Sequence, residues 1–402
     1  MKDQTKILLT ENIHSIASEI LIQEGYEVTR IQHAPDEAEL VQLLPRYDLV
    51  GIRSKTHLTQ KALEASQKLM CVGCFCIGTN QVDLSAARRQ GIPVFNAPHS
   101  NTRSVAELVL AEMIMLSRQL GDRNNLAHAG SWLKSADGAH EVRGKTLGIV
   151  GYGHIGSQLS VLAEALGLRV LFYDVVKKLP LGNARPMNSL KDLLAQSDFI
   201  SLHVPETDQT KKMISSLQFQ SMKKGSYLIN ASRGTVIDIE DLVLALRENH
   251  LAGAALDVFP EEPASTKDRF LSPLQNMKNV ILTPHIGGST EEAQYAIGVE
   301  VAESFRRYLQ VGTTTGSVNF PGVELPRRGK STRILNVHRN EPGVLGQINS
   351  LVSEAGLNIQ AQYLSTDNEI GYMVMDLEDL KNESLVDSIQ NLNRSVRTRK
   401  LG

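Results

Sequence analysis

The chain has 402 residues and a formal net charge of -2, and 42% of its residues are hydrophobic. That length predicts two or three domains, and the composition supports a sizeable core rather than disorder. No long basic stripe argues for a nucleic-acid partner, and the N-terminal apolar run from Ile7 to Leu9 is too short for a signal segment or a membrane span, so the expected setting is the cytoplasm.

From the N-terminus, short apolar runs alternate with helical patterns. Thr5–Thr10 reads as a strand, Ser15–Glu24 as a helix stopped by Gly25, Tyr26–Arg30 as a strand and Asp48–Arg53 as another. Such alternation predicts an open parallel α/β sheet. Cys71, Cys74 and Cys76 all fall in KLMCVGCFCIGTN. An odd count argues against a disulfide framework, and no second CxxC completes a zinc site, so no metal is expected and the cysteines read as small buried hydrophobes. From Asn101, Val105, Val109, Met113, Leu116 and Leu120 recur at spacings of three and four, which predicts a long amphipathic helix ending near Gly121. A polar connector carrying Trp132 follows.

From Lys145 the pattern tightens into strand–helix units, with strands expected at Leu147–Val150, Arg169–Tyr173, Asp198–Val204, Ser226–Asn230, Ala252–Val258 and Val280–Thr283. This is the pattern of a doubly wound nucleotide-binding sheet. Gly151-Tyr152-Gly153-His154-Ile155-Gly156 is G-x-G-x-x-G between the first of these strands and a helix, and Asp174 ends the next strand about 20 residues on. Gly151 permits the tight turn, Gly153 lets backbone approach a pyrophosphate, and Gly156 lets helix and strand pack closely. Asp174 should accept hydrogen bonds from ribose hydroxyls and repel a 2′-phosphate, which favours NAD over NADP, although Lys177 and Lys178 blur that preference.

Arg233, Asp257, Glu262 and His285 then stand at or just beyond the ends of successive predicted strands, where α/β sheets place ligands. Any one of them alone has a bland explanation as an ion pair, a solvated loop residue or a cap. Together beside an intact dinucleotide fingerprint they point to catalysis. A second long helix is expected from Thr290 to about Leu309, and its position suggests that the chain returns to the first domain. After a Gly-, Pro-, Thr- and Arg-rich stretch, the order strand–helix–strand–strand–helix–strand is the ferredoxin-like plan.

The segments GYGHIG, INASRG, DVFPEEP and TPHIGG resemble the D-isomer-specific 2-hydroxyacid dehydrogenases over about Thr5 to Leu309. With the strand–helix pattern, the resemblance implies a substrate-binding domain at 1–98, an NAD-binding Rossmann domain at 99–288 and a return to the substrate-binding domain at 289–312; the Gly-, Pro-, Thr- and Arg-rich stretch at 313–331 reads as a linker, and the ferredoxin-like pattern at 332–402 as a separate domain. It implies that Arg233 clamps a substrate carboxylate, that His285 is the acid/base and that Glu262 holds its imidazole. NAD should be held by Gly151, Gly153, His154, Ile155, Gly156, Asp174, His203, Val204, Pro205, Ala231, Ser232, Asp257, His285, Gly287 and Gly288. A homotetramer is also implied.

Arg53-Ser54-Lys55-Thr56 follows a predicted strand and points to a second anionic group on the substrate, and Asn101-Thr102-Arg103 opens the long helix with its positive dipole end. GIRSKTHLT, FCIGTNQVDL and FNAPHSNTRSVAE resemble the family members that oxidise D-3-phosphoglycerate, the first step of L-serine synthesis. That resemblance implies Arg53, Ser54, Asn101 and Arg103 for the phosphate end and Cys76, Ile77 and Gly78 for the carboxylate end. A dicarboxylate fits the same charges, so 2-oxoglutarate reduction is an expected side activity. The tail resembles an ACT domain, a module that binds amino acids at subunit interfaces. His338, Asn340 and Asn358 match the serine-binding type, so feedback inhibition by L-serine is expected. Two other readings stay open: a different D-2-hydroxy acid, or a nonenzymatic NAD-sensing corepressor role. Intact Arg233, Glu262 and His285 favour the enzyme.

Overall fold

The computed structural model describes residues 5–263, 268–327, 331–378 and 384–401. Linker residues 328–330 and Glu383, where the last tail helix was expected to begin, lie outside them. The chain divides into two compact units, Met1–Ser100 with Gln294–Gly402, and Asn101–Ala293.

The first unit begins with β1 (Lys6–Leu9), α1 (Ser15–Gln23), β2 (Glu27–Arg30), α2 (Glu37–Leu43), β3 (Leu49–Ile52), α3 (Gln60–Glu64), β4 (Cys71–Cys74), α4 (Leu84–Arg89) and β5 (Val94–Phe95). The strands form a parallel sheet in the order β2-β1-β3-β4-β5. β3 (LVGI) and β4 (CVGC) are buried at every position, as a parallel strand covered on both faces must be. α2, α3 and α4 have no counterpart among the elements expected from sequence. They are short, and their signals are caps rather than periodicity: the side chains of Asp36, Thr59 and Asp83 each accept an amide from the first turn.

The second unit contains α5 (Thr102–Arg118), α6 (Leu120–His128), β6 (Thr146–Val150), α7 (His154–Ala165), β7 (Arg169–Tyr173), β8 (Arg185–Pro186), α8 (Leu190–Gln196), β9 (Phe199–Leu202), α9 (Ser216–Ser221), β10 (Ser226–Asn230), α10 (Ile239–Arg247), β11 (Leu251–Leu256) and β12 (Val280–Leu282). Its seven strands run in the order β12-β11-β10-β9-β6-β7-β8, the doubly wound arrangement, and the strand order reverses between β6 and β9. The expected polar connector is in part a helix. Gln119 takes a left-handed conformation (φ 53°), ends α5 and starts α6. No residue of α6 is buried, so it has no apolar period to read in sequence. Trp132 beyond it is 89% exposed.

α11 (Glu291–Val311) returns to the first unit, where Ile297, Val301, Ala302, Phe305 and Tyr308 pack with Ile7, Leu9, Cys71 and Phe75. A Cβ on Gly73 of β4 would stand 2.6 Å from both Val301 and Phe305, so that strand needs glycine to receive the helix. The segment after α11 is not a free tether. Val318 N–H donates to the Val94 carbonyl at 2.9 Å, and the Asn319 side chain accepts from Val94 N–H at 2.8 Å and donates to the Ile92 carbonyl at 3.0 Å. The strap thereby covers the open edge of the sheet at β5.

The tail comprises β13 (Thr332–Arg339), α12 (Val344–Glu354), β14 (Ile359–Thr366), β15 (Ile370–Leu377), α13 (Ser384–Gln390) and β16 (Ser395–Leu401), an antiparallel sheet in the order β14-β15-β13-β16. Arg333 is fully buried. It meets Asp376 through Nε at 2.6 Å and Nη2 at 2.7 Å, and donates to the Val311 and Leu325 carbonyls at 2.9 and 2.7 Å. One guanidinium thus ties the tail sheet to the end of α11 and to the strap. No described helix is long and apolar enough to cross a membrane.

Candidate active site

β6 ends at Val150 and the chain turns through Gly151 at φ 92°. A Cβ there would fall 2.2 Å from the His203 carbonyl oxygen, and one on Gly156 would fall 2.3 Å from the Gly151 carbonyl. The fold itself therefore dictates both glycines. Gly153 differs, because a Cβ there would meet open space. Its glycine is explained by what must approach from outside, as a pyrophosphate lying at the N-terminus of α7 would. His154 and Ile155 open that helix. Asp174 follows β7, and its Oδ2 accepts from Tyr152 N–H at 2.8 Å while Oδ1 accepts from Val176 N–H at 2.9 Å. The acidic group is thus fixed beside the glycine turn, and the residues present fit NAD.

Val204 and Pro205 leave β9 at the same end of the sheet, and Val204 Cγ1 stands 3.1 Å from the Cβ position of Gly151. At His203 it is the backbone carbonyl that faces the Gly151 turn. The imidazole turns inward, its Nε2 sits 2.8 Å from Ser201 Oγ, and burial drops its pKa to about 4, so it stays neutral.

The polar residues at the ends of β10, β11 and β12 converge. Asp257 is buried. Its Oδ1 accepts from the Thr283 hydroxyl at 2.6 Å and Ile286 N–H at 2.8 Å, and its Oδ2 accepts from Gly287 N–H at 2.7 Å. This carboxylate holds the 283–287 turn, in which His285 takes φ 53°, a left-handed conformation uncommon outside glycine. His285 Nδ1 lies 2.8 Å from Glu262 Oε2, and Glu262 Oε1 accepts from Phe259 N–H at 3.1 Å. The hydrogen bond to Glu262 raises the His285 pKa above 6.5; desolvation opposes it, and the charges of Glu262 and Asp257 add to the rise. Burial works to raise Glu262, but the hydrogen bond and charge of His285, the Phe259 amide and the Arg233 charge hold it below its ordinary value. With Nδ1 held, Nε2 is the nitrogen left to exchange a proton.

Arg233 follows β10. Its Nη1 donates to the Ser232 carbonyl at 2.6 Å, and its own carbonyl accepts from Asn230 Nδ2 at 3.0 Å. Asn230 Oδ1 also accepts the Ser232 amide and hydroxyl at 3.0 and 2.7 Å, which fixes the Ala231–Ser232 turn. A Cβ on Gly234 would fall 1.9 Å from the Phe259 carbonyl carbon, so glycine lets the Arg233 loop press against the loop carrying Glu262. Asn101 is the N-cap residue of α5 but makes no side-chain cap; its Nδ2 would stand 2.6 Å from a Cβ on Gly288, and its Oδ1 is buried and unpaired among the described residues. Arg103 instead lies on the exposed face of α5, paired with Glu107 one turn on.

In the first unit, Arg53 and Ser54 follow β3, and Cys76, Ile77 and Gly78 follow its neighbour β4. Two residues passed over in sequence knit these loops. Glu11, just after β1 and at φ 54°, accepts from the amides of Arg53 and Lys55 at 3.0 Å and of Thr56 at 2.8 Å. Gln81 Nε2 donates to the Arg53 carbonyl at 2.9 Å and to Cys76 Sγ at 3.2 Å. Because β1 and β3 flank the reversal in strand order, Glu11 and Arg53 stand where such sheets bind ligands. Asn96 donates to the Ile77 carbonyl at 2.6 Å.

The three tail residues do not come together within one chain. His338 is buried, with Nδ1 on Asn336 Oδ1 at 2.8 Å and the ring packed over Gly371, and burial lowers its pKa. Asn340 is exposed and donates to the Asp367 carbonyl at 2.6 Å. β15 pairs Ile370 with Arg339 at one end and Leu377 with Ile359 at the other. Asn340 N–H donates to the Glu369 carbonyl and Glu378 N–H to the Asn358 carbonyl, so the two lie beyond opposite ends of that strand, about 31 Å apart along it at 3.4 Å per residue.

Residues 110–287 match the D-isomer specific 2-hydroxyacid dehydrogenase NAD binding domain, and residues 334–397 match the AHAS small subunit-like ACT domain. A D-3-phosphoglycerate dehydrogenase of Haemophilus influenzae is 52% identical over 401 residues, covering 100% of this chain and 98% of the relative. One of Escherichia coli is 54% identical over 380 residues, covering 94% and 92%. Among solved structures, the D-lactate dehydrogenase of Aquifex aeolicus complexed with NAD and lactic acid superposes with TM-score 0.68 at 27% identity, over 79% of this chain and 100% of that one. The chain is therefore an NAD-dependent oxidoreductase that belongs to the D-isomer-specific 2-hydroxyacid dehydrogenases and, within them, to the D-3-phosphoglycerate dehydrogenases.

Proposed function

We propose that the chain oxidises D-3-phosphoglycerate to 3-phosphohydroxypyruvate in the cytoplasm, as the first step of L-serine synthesis. The observation that carries the chemistry is the His285–Glu262 pair, 2.8 Å apart and beside Arg233. NAD, when bound, supplies the acceptor for the hydride leaving C2. Neutral His285 takes the hydroxyl proton at Nε2, and Glu262 fixes the tautomer and stabilises the imidazolium that results. Arg233 clamps the carboxylate with its planar fork. Asp257 positions His285 through the 283–287 turn. The glycine turn, Asp174, the backbone at His203, Val204, Pro205, Ala231, Ser232 and Gly287–Gly288 hold the dinucleotide.

Arg53, Ser54 and Asn101 take the phosphate end, while Cys76, Ile77 and Gly78 frame the carboxylate end. The exposed ion pair of Arg103 with Glu107 makes it a weaker candidate for the phosphate. The same cations accept a dicarboxylate, so 2-oxoglutarate is a secondary substrate for reduction.

The tail binds L-serine and lowers turnover. Because Asn340 and Asn358 occupy opposite ends of β15, each effector site takes Asn340 from one chain and Asn358 from another, and paired tails accordingly contribute to a homotetramer. Replacing the proposed base tests the chemistry. His285→Ala should lower kcat by roughly 10²- to 10⁴-fold while NADH binding, followed by fluorescence, changes little. Loss of NADH binding would make His285 a structural residue instead.

A further inference from the structure

A recess in the first unit lies where the tail docks on the parallel sheet domain. It has a volume of about 570 Å³ and is bounded by the segment before β4, the end of α4, α13 and β16. Four cations face it: Lys68 and Arg89 from the sheet domain, Arg397 and Arg399 from the tail. No Asp or Glu is among its lining residues. Lys68 has a carboxylate, Asp48 Oδ2 at 3.3 Å, but the two tail arginines have only neutral partners among the described residues. Arg397 donates to the carbonyls of Leu69 and Gln67. Arg399 donates to the Leu309 carbonyl at 3.4 Å and lies over the Tyr308 ring at 4.8 Å, and its Nη1 is buried with no partner among the described residues.

Backbone carbonyls satisfy hydrogen bonds but leave net charge uncompensated, and the partly buried pair Arg397 and Arg399 is costly without a counter-charge. Burial and the neighbouring Arg399 both press the Arg397 pKa below the usual guanidinium range. A recess of this size suits a small metabolite, and guanidinium forks match phosphate oxygens. We propose that this recess binds a small phosphate dianion, either inorganic phosphate or a phosphate monoester, which bridges the tail to the sheet domain. The site is separate from the loops after β3 and β4 that carry the proposed substrate contacts. By linkage, an anion that contacts both parts strengthens their docking.

Isothermal titration of the full-length protein with inorganic phosphate, at fixed ionic strength and saturating NADH, tests this. The expected result is one site per chain that survives Arg53→Ala and weakens at least tenfold in Arg399→Met. Arg89→Ala, at an exposed residue that can be changed without opening the core, should weaken it severalfold while leaving turnover intact. Glyceraldehyde 3-phosphate in place of phosphate distinguishes a monoester from the free ion as the better occupant. An isotherm unchanged in both Arg399→Met and Arg89→Ala would overturn the proposal. So would complete loss in Arg53→Ala, or equal affinity for malonate, which would assign the recess to dicarboxylates.

Discussion

His285 shows how a single side chain carries several constraints. Its ring nitrogen is held by Glu262, and its backbone is held at positive φ by a turn that Asp257 grips through three donors. The raised pKa has a direct consequence for the reaction. Oxidation needs neutral imidazole, so its rate should rise with pH through a value above the ordinary histidine figure of 6.5, whereas reduction needs imidazolium and should fall through the same value. Glu262→Gln removes the main cause of the rise. The acid limb of the oxidation profile should then move to lower pH, with maximal kcat reduced about tenfold or more. A pH–rate profile unmoved by Glu262→Gln would mean that the pair does not set the titration. The residue scale is also where sequence was most and least informative. Arg233, Glu262 and His285 were legible because loops after parallel strands carry chemistry. Glu11 and Gln81 were not, because they hold backbone groups of the Arg53 loop, which is distant in sequence and comes near only in the folded sheet; Asn230 was not, because it fixes its own turn, and a strand-end asparagine carries no mark of that.

Among the elements, α5 combines a legible pattern with a feature its pattern conceals. Its apolar stripe was plain, and Val105, Val109, Met113 and Leu116 are buried as that spacing requires. Glu112 on the same helix is buried too, with both carboxylate oxygens lacking a partner among the described residues. Burial first, then the charge of Asp257, pushes its pKa up to about 8. The folded state therefore holds a proton that the unfolded chain releases at the ordinary glutamate value of 4.5. The sign follows: the stability cost is absent below pH 4.5, grows as pH rises towards 8, and is constant above it. Glu112→Gln should raise Tm at pH 8, by an amount on the order of a few kcal/mol in stability, and should leave Tm at pH 4.5 nearly unchanged. A drop in Tm at pH 8 would show that the ionised carboxylate is satisfied. α6 marks the opposite limit of legibility, since a helix with no buried face leaves no period in its sequence.

At the scale of the whole molecule, the alternation of strands and helices foretold two parallel sheets and a small βαββαβ tail. Strand order was not readable, and it is what places Arg53 beside Glu11 and separates Asn340 from Asn358. That separation makes the serine reading a statement about pairs of chains. Asn340→Ala and Asn358→Ala should each raise the serine concentration for half-inhibition at least tenfold, and co-expressing the two variants should restore part of the sensitivity by rebuilding one complete site per pair. Inhibition curves that match wild type in both variants would remove these residues from the effector site.

The choice of substrate rests on the relatives and on Arg53. The most direct test is kcat/KM for D-3-phosphoglycerate and D-glycerate, followed by NADH absorbance in wild type and Arg53→Ala. Two substrates that differ only in the phosphate isolate its contribution, and charge-assisted contacts of about 1.5–3 kcal/mol each predict a preference of roughly 10²-fold or more for the phosphorylated acid. Arg53→Ala should reduce that preference at least tenfold while changing D-glycerate turnover little. Equal turnover of the two acids by the wild type, or a preference for D-glycerate, would contradict the account.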